Sequence, residues 1–473
     1  MSKYFIGIIM VLSVGSAAAH EDIPAPNLGD TLNRTITLYD EERIGRNIYK
    51  NLQKNNYIID DFLVNDYITY LGNRLSRNIS MERDYFFFMT KSNAVNAFAV
   101  PGGFMGFNAG LFILTQNEAQ LAGVVAHELG HVVLRHSAEM MASSNVNSIP
   151  MWIGIFAGLL AGETEASIAS IQSGIGFSVQ KNINLVRENE IESDNFAVML
   201  MNKSNYDLNE MANFFLLMQG DSNNQENLNE YFMTHPLYKN RISSIKKRAR
   251  KQVNPTLNST DDYFYVRNIL ESKIRILKNM KYKFSDDPIQ NHRYALSLVN
   301  SGKYTEARKI LSQSFSKDRF NIYLASLMSE ILWLEGKKSE SKEILKKILS
   351  IYPNNNAISH QLFFFNIKDQ VDLEQSISGI EYLMKYNSYN PQAYKILAEA
   401  YSKTNRFYKS KLALINYYNL KGNIPMAFKV IDDSNSSNKL SEYEKEYLKK
   451  LKNSILCTTN PPLEPIFGNK TCN

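Results

Sequence analysis

VVAHELGHVVLRH, residues 124–136, decides how the rest of this chain is read. Two histidines, His127 and His131, stand four residues apart, with Glu128 beside the first. On a helix, a step of four residues leaves two side chains within about 40° of one another. Two imidazoles on one face can share a metal ion, each nitrogen roughly 2.0–2.1 Å from it. Glu128 lies about 100° round from His127, near enough to reach a water on the ion while standing outside the ligand set. The segment carrying the motif, NEAQLAGVVAHELGHVVLRHSAEMM (117–141), reads as one long helix with Asn117 as its N-cap.

His136 is nine residues from His127. On a continuous helix that turns it to the opposite side, so it is expected to pack or to support a ligand. Leu134 and Ser137 stand where the metzincin pattern needs glycine and histidine, which excludes that class. A catalytic zinc keeps three protein ligands and an open position, so a third must come from elsewhere. The best source is LVRENEIESDNFAVML (185–200), where Arg187, Glu190, Asp194 and Ala197 form one helical stripe. Glu190 can reach the ion. Asp194, one turn on, can accept a hydrogen bond from a ligand histidine. Small Ala197 lets two helices approach. Spacing alone does not choose Glu190 over Glu188 and Glu192.

Helices are expected over 38–80 and a short strand in DYFFFMT (84–90). NAFAVPGGFMGFNAGLF (96–112) alternates and breaks at Pro101-Gly102-Gly103, the pattern of strand, tight turn and strand. Asn96, Ala97, Phe98, Ala99 and Val100 are candidates to pair with an extended substrate by edge addition, unless that strand is buried with no free edge. MWIGIFAGLLAG (151–162) is too short to span a bilayer and is expected as a core helix or a flap, with a membrane-dipping loop as the alternative.

His127-Glu128-x-x-His131 followed by Arg187-x-x-Glu190-x-x-x-Asp194 resembles the gluzincin family of CAAX-prenyl endopeptidases and HtpX-like proteases. The resemblance makes Glu190 the third zinc ligand. NAFAVPGGFMGFNAGL is similar to the family's strand and turn, and THPLYKNR (234–241) to its His-Pro…Arg element, here His235-Pro236 and Arg241. Ser193 stands where the family often has alanine. With an N-terminal leader and C-terminal repeats, the whole chain resembles the exported beta-barrel assembly-enhancing protease group. Arg241 or His235 is expected to stabilise the oxyanion, and His235 is also a candidate to fill the open zinc position and hold the enzyme off.

The remaining features concern export and partners. The chain has 473 residues, 44% apolar and 21% charged, with a net charge of +6, which suits two or three folded cores. No basic stripe is interleaved with aromatics, so nucleic-acid binding is not expected. MSKYFIGIIMVLSVGSAAA (1–19) reads as a signal peptide cleaved after Ala19. Cys457 and Cys472 are expected to form a disulfide in an exported protein. From about residue 290, Gly302 and Gly336 mark a 34-residue period, with Ala307 and Ser341 in the same slot. Adding the period reaches polar breaks at Gln370 and Thr404, while Gly422 repeats the spacing out of phase. Such a period resembles tetratricopeptide repeats.

The expected fold class is therefore α+β and mostly helical: a gluzincin-type protease domain with a small sheet, then an α-solenoid of tetratricopeptide-like repeats. The expected divisions are a signal peptide (1–19), protease domain (20–255), helical linker (256–289), repeats (290–455) and a disulfide-closed tail (456–473). The expected function is a periplasmic endopeptidase with one Zn2+ per chain. What the resemblance implies for partners is unfolded or misassembled outer-membrane proteins and the barrel assembly complex, with peripheral contact to the outer membrane. The alternative is a chaperone or adaptor in which the repeats do the main work.

Overall fold

The computed structural model describes residues 36–80, 83–143, 183–220, 231–274 apart from 233, 239 and 256, 285–385 and 389–459. The expected leader, the apolar stretch 151–162 and Cys472 lie outside the described residues.

Helix α1 (Leu38–Lys54) begins at a capping box between Thr37 and Asp40, and α2 (Phe62–Ser76) is capped by the Asp61 side chain. They flank a three-stranded sheet of β1 (Phe86–Thr90), β2 (Ala97–Val100) and β3 (Phe104–Asn108), in the order β1-β3-β2. β1 runs parallel to β3, and β2 antiparallel to it. Strand side chains alternate between faces. Phe88, Phe98 and Phe104 therefore pack on Ile44, Ile48 and Tyr49 of α1, while Phe87, Met89 and Phe107 join the core that includes α2. The turn between β2 and β3 holds Gly102 and Gly103 at φ of +86° and +84°, where other residues are strained. A Cβ on Gly102 would also stand 2.6 Å from the Glu41 carbonyl oxygen of α1.

After α3 (Ala109–Leu114) comes the motif helix α4 (Glu118–Val133), with Asn117 accepting from the Gln120 N–H as its N-cap. The expected single helix through Met141 is in fact two. Arg135 takes a left-handed φ of +57°, and α5 (His136–Ser143) sets off in a new direction. Helix α6 (Ile183–Lys203) lies along α4, followed by α7 (Leu208–Gly220) and α8 (Asn240–Ala249), which pack on each other. Within the expected linker, α9 (Asp261–Ile274) buries Tyr263, Tyr265 and Leu270 and packs on α2, α3 and the first repeat helix. One apolar core thus runs unbroken from the sheet to Leu332.

The repeats form helical pairs: α10 (Pro288–Asn300) with α11 (Tyr304–Lys317), α12 (Ile322–Leu334) with α13 (Lys338–Ile351), α14 (Asn356–Asp369) with α15 (Leu373–Met384), α16 (Pro391–Lys403) with α17 (Phe407–Leu420), and α18 (Ile424–Asn435) with α19 (Glu442–Thr459). First helices start at 288, 322, 356, 391 and 424, close to the expected period. Gly302, Gly336, Gln370 and Asn405 supply a left-handed residue inside the first four pairs. Gly422 lies between two pairs, which is why its spacing is out of phase.

The array returns to the sheet domain. His360 of α14 stacks on Phe62 of α2 with ring centroids 4.2 Å apart, and Lys421 donates to Gln53 of α1 at 3.0 Å.

Candidate metal centre

Helix α4 is buried along nearly its whole length, so its polar residues face protein and not solvent. His127 and Glu128 are 1% and 0% exposed. Burying such groups is costly unless they are paired or hold an ion. Glycine supplies the close approach they need. A Cβ on Gly130 would stand 2.9 Å from Ser193 Cα, so α4 and α6 touch backbone to backbone one residue before His131. Gly130 thus permits a close approach in addition to the one expected at Ala197, and the glycine inside HELGH was its sequence signal.

That approach brings Glu190 against both histidines. His127 Nε2 lies 3.1 Å from His131 Nε2 and 3.4 Å from Glu190 Oε2, and His131 Nε2 is 3.3 Å from Glu190 Oε1. His235 joins them, with Nδ1 3.0 Å from Glu190 Oε1 and 3.3 Å from His127 Nε2. One donor atom from each of these four residues lies within 4.8 Å of the others. Ligands 2.0–2.1 Å from one tetrahedral ion stand roughly 3.3 Å apart, so the four donors have the spacing and chemistry of a zinc-type set. Neither Glu128 oxygen has a hydrogen-bond partner among the described residues; Oε1 is 3.4 Å from His235 Nε2. A fully buried carboxylate left this way fits a site completed by a group from outside the chain.

Surrounding residues hold this set. Asp194 Oδ1 lies 3.1 Å from His127 Nδ1, which directs the opposite nitrogen into the cluster. Arg241 donates to both Asp194 oxygens at 2.7 and 2.9 Å, and its Nη1 lies 2.7 Å from Glu190 Oε2 and donates to the Pro236 carbonyl at 3.0 Å. Its charge is thus engaged in holding two acids and the His235-Pro236 turn, and not left open for an oxyanion. The Phe215 ring lies 4.8 Å beneath it. Burial raises the Asp194 and Glu190 carboxyls, but Arg241 beside Asp194, and His235 and Arg241 beside Glu190, bring both below their usual range. Glu128 moves the other way: burial raises it, and His235 and His127 offset only part of that.

His136 does not lie on the far side. The break at Arg135 swings it back, with Nδ1 2.9 Å from His131 Nδ1, Ser193 Oγ at 3.3 Å and Glu192 Oε2 3.4 Å from Nε2. Nine residues reach the opposite side only on a helix that continues, and this one breaks at Arg135.

In β2, the residues 97–100 are 0–9% exposed. No strand pairs with the far edge of β2 among the described residues, but the Ser137 hydroxyl donates to the Ala99 carbonyl at 3.1 Å. Asn96 receives the Thr234 hydroxyl at 3.3 Å, which ties this strand to the residue before His235. Sequence reading also missed Tyr231, whose ring lies 4.9 Å from His235 and whose buried hydroxyl has no partner among the described residues.

Residues 63–249 match the family model for peptidase family M48. The chain carries a peptidase family M48 domain. That M48 domain is a metalloendopeptidase, and every residue of the site above falls within its span. Over 435 residues the chain is 26% identical to the beta-barrel assembly-enhancing protease of Yersinia pestis, covering 89% of each. It is 34% identical over 255 residues to a putative beta-barrel assembly-enhancing protease of Vibrio cholerae, covering 53% of this chain and 52% of that one. The chain is also similar to mitochondrial metalloendopeptidase OMA1 of Schizosaccharomyces pombe, 29% identical over 152 residues, covering 32% of this chain and 43% of that one. No helix among the described residues is long and apolar enough to cross a membrane.

Proposed function

We propose that this chain is a periplasmic, zinc-dependent endopeptidase that removes unfolded or misassembled outer-membrane proteins, with its repeats (290–455) recruiting substrate or the barrel assembly complex. The observation that carries the reading is the convergence of His127, His131, Glu190 and His235 beside the unpartnered Glu128 carboxylate. The names of the relatives support the barrel-assembly setting. The leader at 1–19 and a Cys457–Cys472 disulfide suit an exported protein that touches the outer membrane only at its periphery.

One Zn2+ held by His127, His131 and Glu190 would polarise the scissile carbonyl and make the attacking water more acidic. Glu128 takes that water's proton and passes it to the leaving amine, a role its raised carboxyl affinity for protons favours. Asp194 orients His127, and Arg241 positions Asp194, Glu190 and the His235 turn. His235 occupies the fourth corner of the donor set at rest, and leaves it when substrate arrives, to face the oxyanion. Residues 96–100 receive the extended substrate once the Ser137 hydroxyl releases the Ala99 carbonyl.

Fluorescein-labelled casein tests the reading. Glu128→Gln should lower hydrolysis by about 10²–10⁴-fold, the range for loss of a general base, while keeping one zinc per chain by metal analysis. A faster His235→Ala shows that its blocking role dominates, and a slower one that the oxyanion role does. Full hydrolysis by Glu128→Gln, or by protein stripped of metal, would sink the reading. If Glu128→Gln restores a deletion strain as well as the parent does, the chaperone or adaptor role is the main one.

A further inference from the structure

The sheet stops one strand short. Across the outer edge of β1, Ile59 N–H donates to the Met89 carbonyl at 2.9 Å, Lys91 N–H donates to the Tyr57 carbonyl at 2.7 Å, and Ile58 bridges Thr90 in antiparallel fashion. The chain then leaves for α2. Backbone groups alternate along a strand, so the N–H and C=O of Phe87 face the same way as those of Met89 and Lys91. Tyr85 packs on the same core as Phe87 and Met89, which carries the alternation one step further. Among the described residues, no backbone hydrogen bond outside the helices and the sheet reaches the N–H of Tyr85.

Where that fourth strand would continue lies a cavity of about 1000 Å3. The polar side of α2 (Asn65, Thr69, Asn73) forms one wall, Arg46 of α1 the other, and His360 and Tyr389 of the repeats close it over. The Tyr85 hydroxyl, Asn65 Oδ1 and Arg83 Nη1 line it or its edge, buried and without a partner among the described residues. Both signs of charge are present, Arg77 and Lys385 against Glu42 and Asp84, so the walls do not select by net charge. An open strand edge set between two helical layers is matched by another polypeptide backbone, which repeats donors and acceptors at the same spacing.

We propose that an extended segment of an unfolded polypeptide binds in this cavity as the fourth strand, on the opposite edge of the sheet from β2. The site holds a chain under the repeats while another part of it reaches the metal centre. This rests on the reading of the chain as an endopeptidase of unfolded proteins.

Binding is measured by fluorescence anisotropy with labelled β-casein and full-length protein in the Glu128→Gln background, where cleavage does not interfere. Tyr85→Ala and Tyr85→Pro both remove the ring, but only proline removes the N–H. Proline should bind casein about threefold to tenfold more weakly than alanine, the effect of one backbone hydrogen bond. Equal affinities in two folded variants overturn the proposal. Should Tyr85→Pro fail to fold, a photocrosslinking residue at Asn73 decides: a casein adduct there, absent from the exposed control Tyr443, supports the site, and no adduct overturns it. Hydrolysis of a short quenched peptide by the parent protein tells the two readings apart, because its absence counts against the endopeptidase and not against the cavity.

Discussion

The metal centre and the helical repeats bury polar groups in opposite ways. In the repeats many of these groups are small hydroxyls and amides answered within the chain. Ser341 and Ser329 exchange hydroxyl contacts at 2.7–2.9 Å, the Ser410 hydroxyl donates to the Ala398 carbonyl at 2.8 Å, and Asn366 donates to Ser376 at 3.3 Å. In the centre, full charges are buried together: Arg241 grips Asp194 and Glu190, and the Glu128 carboxylate has no hydrogen-bond partner among the described residues. The repeats are arranged for stability, and the centre for a reaction whose last component comes from outside. Local rules are expected to fail at such a place.

The largest expected effect tests the charge network. Arg241→Ala leaves two buried acids uncompensated and should cost about 3–5 kcal/mol of folding stability in urea. It should also weaken metal retention, since Asp194 and Glu190 lose their anchor. A loss no larger than that of a repeat serine would erase the contrast.

An intermediate effect concerns acid. Burial lowers the His360 imidazole from 6.5 to about 4, and its Nδ1 has no partner among the described residues. The unfolded chain takes up this proton below pH 6.5, but the folded protein resists it until about 4. The stability that neutral His360 contributes is therefore complete above pH 6.5 and lost as pH falls towards 4. His360→Phe keeps a ring to stack on Phe62 and removes the titration. Its urea midpoint should gain on the parent steadily from pH 6.5 to 4, and parallel curves would refute the assignment. The smallest effect is Ser341→Ala, about 1 kcal/mol or less, because Ser329 keeps the Ser341 carbonyl as a partner. Casein hydrolysis should be unchanged, and a large loss would show that the repeats and the centre are coupled.

Particular residues show what could be read in advance. Asn117 announced the start of α4, Pro101-Gly102-Gly103 announced the turn, and Gly302 and Gly336 announced two repeat turns. Each acts through its own backbone, so its effect is written where it stands. The break after α4 was hidden because Arg135, which has neither glycine's freedom nor proline's constraint, takes the left-handed turn. Its side chain is drawn to Glu41 of α1, with Nε 2.6 Å from Oε1, a partner 94 positions away. The partners of Arg241 were hidden for a related reason: its charge is plain in the sequence, but the acids that engage it lie on α6.

By itself the sequence determined the elements and the candidate donors: a helix with two histidines on one face, an acidic helix, a strand and turn, and a helical array of nearly constant period. These follow from periodicity and from single-residue backbone preferences, which act over a few positions. Only the tertiary structure decided which donors meet, that His235 completes the set, that His136 turns back to His131, and that the repeats close over the open edge of β1. Those outcomes depend on how buried faces from distant segments pack, and no local pattern encodes that distance.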